Sequence, residues 1–172
     1  MELRQKVIWA LGELSRGNSG VAEELSTAHL QWQGFVTTIA ALTLDSSQPT
    51  EIRVAACIVV KDLIPKHLNQ LSTEDRVVLR QWAVEAPTSV HSNKSMSKLV
   101  KETVFQLVSY EYPNKWPDLA ETVFRRLTSA LNLDQIQGVL LLLEAVVETL
   151  LTNRDTGSTA SWKRKDYHSI SC

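Results

Sequence analysis

The chain reads as an all-α protein. Three observations predict this. Apolar residues recur every three to four positions in segment after segment, the six glycines and five prolines mostly fall between those segments, and no hairpin signal of the Asn-Gly type occurs. With 172 residues the chain is long enough to bury a core. At 44% hydrophobic and 22% charged it has the make-up of a globular protein.

The first amphipathic stretch runs from Glu2 to Ser15, with Leu3, Val7, Ala10, Leu11 and Leu14 on one stripe. Arg16-Gly17-Asn18-Ser19-Gly20 breaks it, and a second helix follows from Val21 to about Leu30. A third covers Gln33 to Leu44, turning Phe35, Val36, Ile39, Ala40 and Leu42 inward. Asp45 to Pro49 is a turn. Thr50 is placed to cap a fourth helix, Glu51 to Leu68, whose apolar set is Ile52, Ala55, Ala56, Val59, Leu63 and Ile64.

Ser72-Thr73-Glu74-Asp75 has the form of a capping box with Asp75 in the place of Glu or Gln. The helix it opens carries Val78, Leu79 and Trp82 and is expected to end before Pro87. Ser92 to Tyr110 comes next, with Leu99, Val100, Thr103, Val104, Leu107 and Val108 at helical spacing. Pro113 then forbids continuation and pushes Tyr112 out of the α region, whereas Pro117 suits the first turn of a new helix. Tyr110 to Leu119 is therefore a corner, with Trp116 set to seal it. Two more helices are expected, Pro117 to about Leu131 and, after Asn132 as a cap, Asp134 to Leu151.

Segments beginning near Val21, Glu51, Asn93 and Asp134 recur at roughly forty residues, the period of HEAT-type or armadillo-type helical repeats. Such pairs bury their apolar faces only by stacking. The expected architecture is a HEAT-like solenoid of three helix pairs plus the first helix of a fourth, stopping mid-repeat as a truncated form would. Residues 1–151 make up this domain. Thr152 to Cys172 is polar and turn-rich and reads as a disordered tail, in which Lys163-Arg164-Lys165 beside Trp162 is too short to mark a nucleic-acid patch.

Charge and motifs exclude several function classes. The 18 basic and 19 acidic side chains balance to a net −1, unlike a dedicated nucleic-acid binder. Cys57 sits in an apolar run and Cys172 at the end, which is no disulfide framework and suggests a reducing compartment. No signal peptide is read at the amino terminus, and the apolar run Val139–Leu151, interrupted by Glu144 and Glu148, is too short to span a bilayer. His29, His67, His91 and His168 show no paired ligand spacing, and there is no Cys-x-x-Cys, phosphate loop or Gly-x-Ser-x-Gly elbow. Glu144 and Glu148 read as the polar edge of an apolar helix. No catalytic residue, metal or cofactor is expected.

Several short patterns fall in one order along the chain: Ala22-Glu23 with Leu25; Gly34-Phe35; Ile52-Arg53 before Ala55 and Ala56; Leu71 to Arg76; the corner Tyr112-Pro113, Trp116-Pro117 and Leu119; and Gln137-Gly138-Val139-Leu140. In that order and spacing the chain resembles the amino-terminal region of the importin-β (karyopherin) family. It departs from the family pattern at Val60-Lys61-Asp62, where Leu-Lys-Asn is usual, and lacks the customary Trp near Lys66 or His67. The resemblance implies a nuclear transport receptor that shuttles between cytoplasm and nucleus. Its expected partners are the small GTPase Ran in its GTP form, through the inner helices, and nucleoporin Phe-Gly repeats between outer helices. Protein cargo would be held weakly at most, and neither nucleic acid nor membrane directly.

Carried over by position, the inner helices are about Gln33 to Leu44, Thr73 to Glu85 and Pro117 to Leu131. Their polar candidates for Ran contact are Thr37, Glu74, Asp75, Arg80, Gln81, Glu85, Asp118, Glu121 and Arg125. The competing expectation is a helical-repeat scaffold unrelated to transport, since any such array shows the same periodicity.

Overall fold

The computed structural model describes residues 2–90 and 93–162. Its elements are α1 (Leu3–Ser15), α2 (Ser19–Gln31), α3 (Phe35–Leu44), α4 (Thr50–His67), a 3-10 turn (Leu68–Gln70), α5 (Thr73–Val90), α6 (Lys94–Glu111), α7 (Leu119–Ser129) and α8 (Leu133–Trp162). No strand occurs among the described residues, so the chain is all-α as expected.

Local chemistry sets most of the boundaries. Asn18 accepts from the Gly20 amide at 3.2 Å and starts α2, and Asn93 accepts from the Met96 amide at 3.1 Å to start α6. Gly34 enters α3 at φ +80°, a conformation that a side chain disfavours. Ser72 accepts from the Asp75 amide at 3.0 Å and donates its hydroxyl to the Asp75 carboxylate, also at 3.0 Å. The shorter Asp side chain thus closes the box on the hydroxyl itself. At α8, Asn132 accepts from the Gln135 amide at 2.9 Å while the Gln135 side chain accepts from the Leu131 amide at 2.7 Å.

Four boundaries differ from expectation. Thr50 makes no side-chain cap; it is the first residue of α4, and Pro49 precedes it. Pro117 stands ahead of α7, which begins at Leu119. Helix α5 runs through Pro87 to Val90. An interior proline costs roughly 3 kcal/mol, and here the burial of Ala86, Pro87 and Val90 offsets it. Finally, α8 does not end at Leu151 but continues to Trp162. Once a helix is nucleated by buried turns, each further residue adds one hydrogen bond for one residue fixed, so a polar continuation propagates it. The rest of the expected tail, 163–172, lies outside the described residues, as do His91 and His168.

The helices form two rows. One holds α2, α4, α6 and α8, each packed on the next; the other holds α1, α3 and α5, packed likewise. Across the rows the close partners are α1 with α2, α3 with α4, α5 with α6, and α7 with α8, while α1 and α5 also reach forward to α4 and α8. These pairs are offset by one helix from the expected ones, because a recurrence fixes a period and leaves its phase open. The core runs the length of the array through Leu11, Leu25, Phe35, Ile39, Leu63, Leu79, Val104 and Leu142. Several buried polar groups pair within it. The Trp82 indole donates to the Thr43 hydroxyl at 2.6 Å, and Arg53 donates to the Thr43 carbonyl at 3.1 Å, tying α3, α4 and α5 together.

Helix α8 also corrects the reading of its length. As a helix, Leu133–Thr152 has a mean hydropathy of 1.4 and is long and apolar enough to cross a membrane. Its Gly138, Leu142, Ala145 and Val146 are nonetheless buried, and α5, α6 and α7 pack around it. At Gly138 a Cβ would lie 2.9 Å from the Thr88 amide nitrogen, so glycine is what lets α5 come this close.

A candidate partner-binding groove between helices α5 and α7

The corner between α6 and α7 organises this face. Tyr112–Pro113 is a cis peptide, and the chain turns so tightly that the Glu111 carbonyl accepts from both the Lys115 amide at 2.7 Å and the Trp116 amide at 2.9 Å. The Glu111 side chain is fully buried, and a buried carboxylate demands partners. It has two. Arg76 lies at 3.4 Å, and Arg80 donates from Nε at 2.9 Å and also through its terminal nitrogen. Arg80 additionally lies 6.0 Å from the Trp116 ring centre. Trp116 and Leu119 are buried, so the corner residues act as the plug that Trp116 suggested. Removing both arginines would strand this buried charge, and breaking a buried pair costs about 3–5 kcal/mol.

Because α7 packs closely only on α8, a hollow opens between it and α5. Its volume is about 280 Å³, and Val77, Arg80, Gln81, Val84, Trp116, Asp118, Thr122 and Arg126 line it. A second hollow of about 320 Å³ continues past Arg126 to Glu85, Thr88, Ser89, Ser129 and Gln135. Gln81 and Glu85 are joined by a 3.2 Å hydrogen bond along the wall. The result is an open trough of alternating sign, with arginines at 80 and 126 and carboxylates at 85 and 118.

Of the sequence candidates, Arg80, Gln81, Glu85 and Asp118 are brought together here. Thr37 is exposed on α3, Glu74 is exposed on the first turn of α5, and Asp75 serves the cap. Glu121 and Arg125 are exposed on α7 outside the lining. Arg80 is committed to Glu111 and so is a wall rather than a free cation. The sequence reading missed Thr122 and Arg126. The signal for them was available: with Leu119 and Val123 buried, positions 118, 122 and 126 share the adjacent stripe of α7.

Elsewhere several titratable groups are tied down. Burial pushes the Cys57 thiol up to about 12, which makes it inert as a nucleophile. Glu144 pairs with Lys101 of α6 at 2.9 Å, and Lys61 pairs with Glu102 at 2.5 Å. His29 and His67 lie with ring centres 4.5 Å apart between α2 and the end of α4. No cluster of three or more metal-ligating side chains occurs among the described residues. An apolar hollow of about 230 Å³ lies beside the histidines, lined by Leu14, Ala22, Leu25, Ile58, Val59 and Leu63 among others.

Compared with family models, curated proteins and solved structures, the chain matches none.

Proposed function

We propose that this chain is a karyopherin-like nuclear transport module whose α5–α7 groove binds the GTP form of Ran. In this reading the two rows of helices are a HEAT-type solenoid, with α3, α5 and α7 in the inner row. The observation that carries it is the Tyr112-Pro113, Trp116-Pro117, Leu119 corner, which sits where the family pattern has it and shapes one wall of the groove. The trough is shallow and of mixed charge, a surface suited to another protein's polar face rather than to a small molecule, which favours enclosed and mostly apolar pockets. Alternating charges there serve encounter and register more than raw affinity. The apolar hollow between α2 and α4 has the character that would take a phenylalanine side chain of a nucleoporin repeat.

The test is binding of the folded chain to Ran loaded with a non-hydrolysable GTP analogue, set beside Ran-GDP. A clear preference for the GTP form is expected. The variant Arg126→Glu, at the junction of the two hollows, is expected to weaken it about tenfold, a cost near 1.4 kcal/mol. Equal binding of both nucleotide forms, or none by a chain with an intact helical melt, would sink the proposal.

A further inference from the structure

Folding brings together two histidines that the sequence keeps far apart. His29 comes from the last turn of α2 and His67 closes α4. Their ring centres lie 4.5 Å apart, with the rings tilted by 41°. Both ring nitrogens of His29 are buried, and neither makes a hydrogen bond among the described residues. An imidazole is polar at both nitrogens, so a buried one without partners calls for an explanation. His67 is held differently: its Nδ1 stands 3.3 Å from the Gln70 side-chain oxygen. That oxygen only accepts, so Nδ1 carries the proton and Nε2 keeps its lone pair. A metal-binding histidine has this arrangement, handing its other N–H to a carbonyl or carboxylate.

We propose that His29 and His67 together hold one divalent transition-metal ion. Parallel stacked rings share no point that lies in both ring planes. At a tilt of 41° the planes cross, and an ion on that line sits in the plane of each ring. A nitrogen bound at about 2.0–2.1 Å sets its ring centre roughly 3.2 Å from the ion. Centres 4.5 Å apart then subtend about 90° at the ion. A right angle belongs to octahedral or tetragonal coordination, which favours Ni²⁺ or Cu²⁺ over tetrahedral Zn²⁺. No third His, Cys, Asp or Glu joins the pair among the described residues, so water completes the shell. Access is through the hollow of about 230 Å³ that His67 lines beside Ser26 and Asp62. The charges around it tolerate a cation, because Lys66 is paired with Asp62 at 3.0 Å and Asp75 acts on His29 with negative charge. The bound ion clamps the end of α2 to the end of α4. This site is independent of the groove between α5 and α7.

The experiment is isothermal titration of the full chain with Ni²⁺ alone at pH 7.5, with circular dichroism to follow the fold. One ion per chain is expected to bind. His29→Gln and His67→Gln are each expected to weaken binding by at least about tenfold, the low end of what even a supporting contact to a ligand costs. Gln70→Ala, which frees the His67 ring, is expected to weaken it by about tenfold, and His91→Gln to leave it unchanged. Should a ligand variant lose its helical signal, nuclear magnetic resonance of the parent chain decides, because Ni²⁺ is paramagnetic and broadens the ring protons nearest to it. Broadening is then expected at His29 and His67 together. No binding up to about 1 mM Ni²⁺, binding that both folded ligand variants retain in full, or broadening confined to His91 or His168 would overturn the proposal.

Discussion

Helices α4 and α8 draw on much the same residues, alanine, valine, leucine and isoleucine, and meet opposite fates. α4 is enclosed by α1, α2, α3 and α6, and its Ala55, Ala56, Cys57, Val59, Val60, Leu63 and Ile64 are all buried. α8 is covered by α5, α6 and α7 on one side and leaves Leu140, Leu143, Val147, Leu150 and Leu151 open on the other. Composition thus says that a helix is meant to be covered, and only the neighbours say by what. The same contrast separates the closed stacking of α3 on α5 from the gap between α5 and α7 that forms the groove.

The sharpest way to break the comparison is to truncate one leucine in each helix. Leu63→Ala is expected to cost about 2–5 kcal/mol, from lost burial plus the cavity left behind. Leu140→Ala is expected to change stability by less than about 0.5 kcal/mol. Urea unfolding followed by tryptophan fluorescence in dilute solution, where any self-association is suppressed, reads both. Equal losses would mean that α8 is enclosed after all.

A second substitution asks whether the covered side of α8 is as tight as α4. Gly138→Ala is expected to destabilise by about 1–3 kcal/mol, because the new methyl meets the backbone of α5 at Thr88, which cannot swing aside. A thermal melt measures it. A variant as stable as the parent would show that α5 and α8 have room to part.

The smallest effect belongs to the histidine pair at the α2–α4 contact. Burial, and after it the neighbouring His67, hold the His29 imidazole below its ordinary 6.5. The nearby polar groups of Gln70 and Ser26 and the charge of Asp75 pull the other way. The folded state therefore binds fewer protons than the unfolded chain, so its contribution is full above pH 6.5 and is lost as pH falls through the depressed value. Melting temperature should drop on acidification from pH 7.5 to 5.5, and drop less in His29→Gln. Parallel pH profiles for the two chains would remove His29 from the explanation.

How much of this was legible beforehand follows the range of each interaction. Asn132 as a cap, the box at Ser72 and the corner at Trp116 act within a few residues, so the sequence displays them directly. The offset pairing of the helices, the tolerance of Pro87 and the clasp between α5 and the end of α6 depend on segments brought together by folding. No local pattern announces them. Glu111 and Arg80 are 31 residues apart, and each alone reads as a solvated charge. Arg126 went unnoticed for a related reason: which stripe of α7 faces the groove is settled by what Leu119 and Val123 pack against.

The Glu111 clasp has a consequence for how this sequence can drift. Because Arg76 and Arg80 answer one carboxylate, changes at these positions do not add; losing the acid makes the bases a burden, and losing the bases strands the acid. Replacing all three by well-packed apolar residues is a far milder step than replacing any one. Viable descendants of this chain should therefore keep the whole set or trade the whole set.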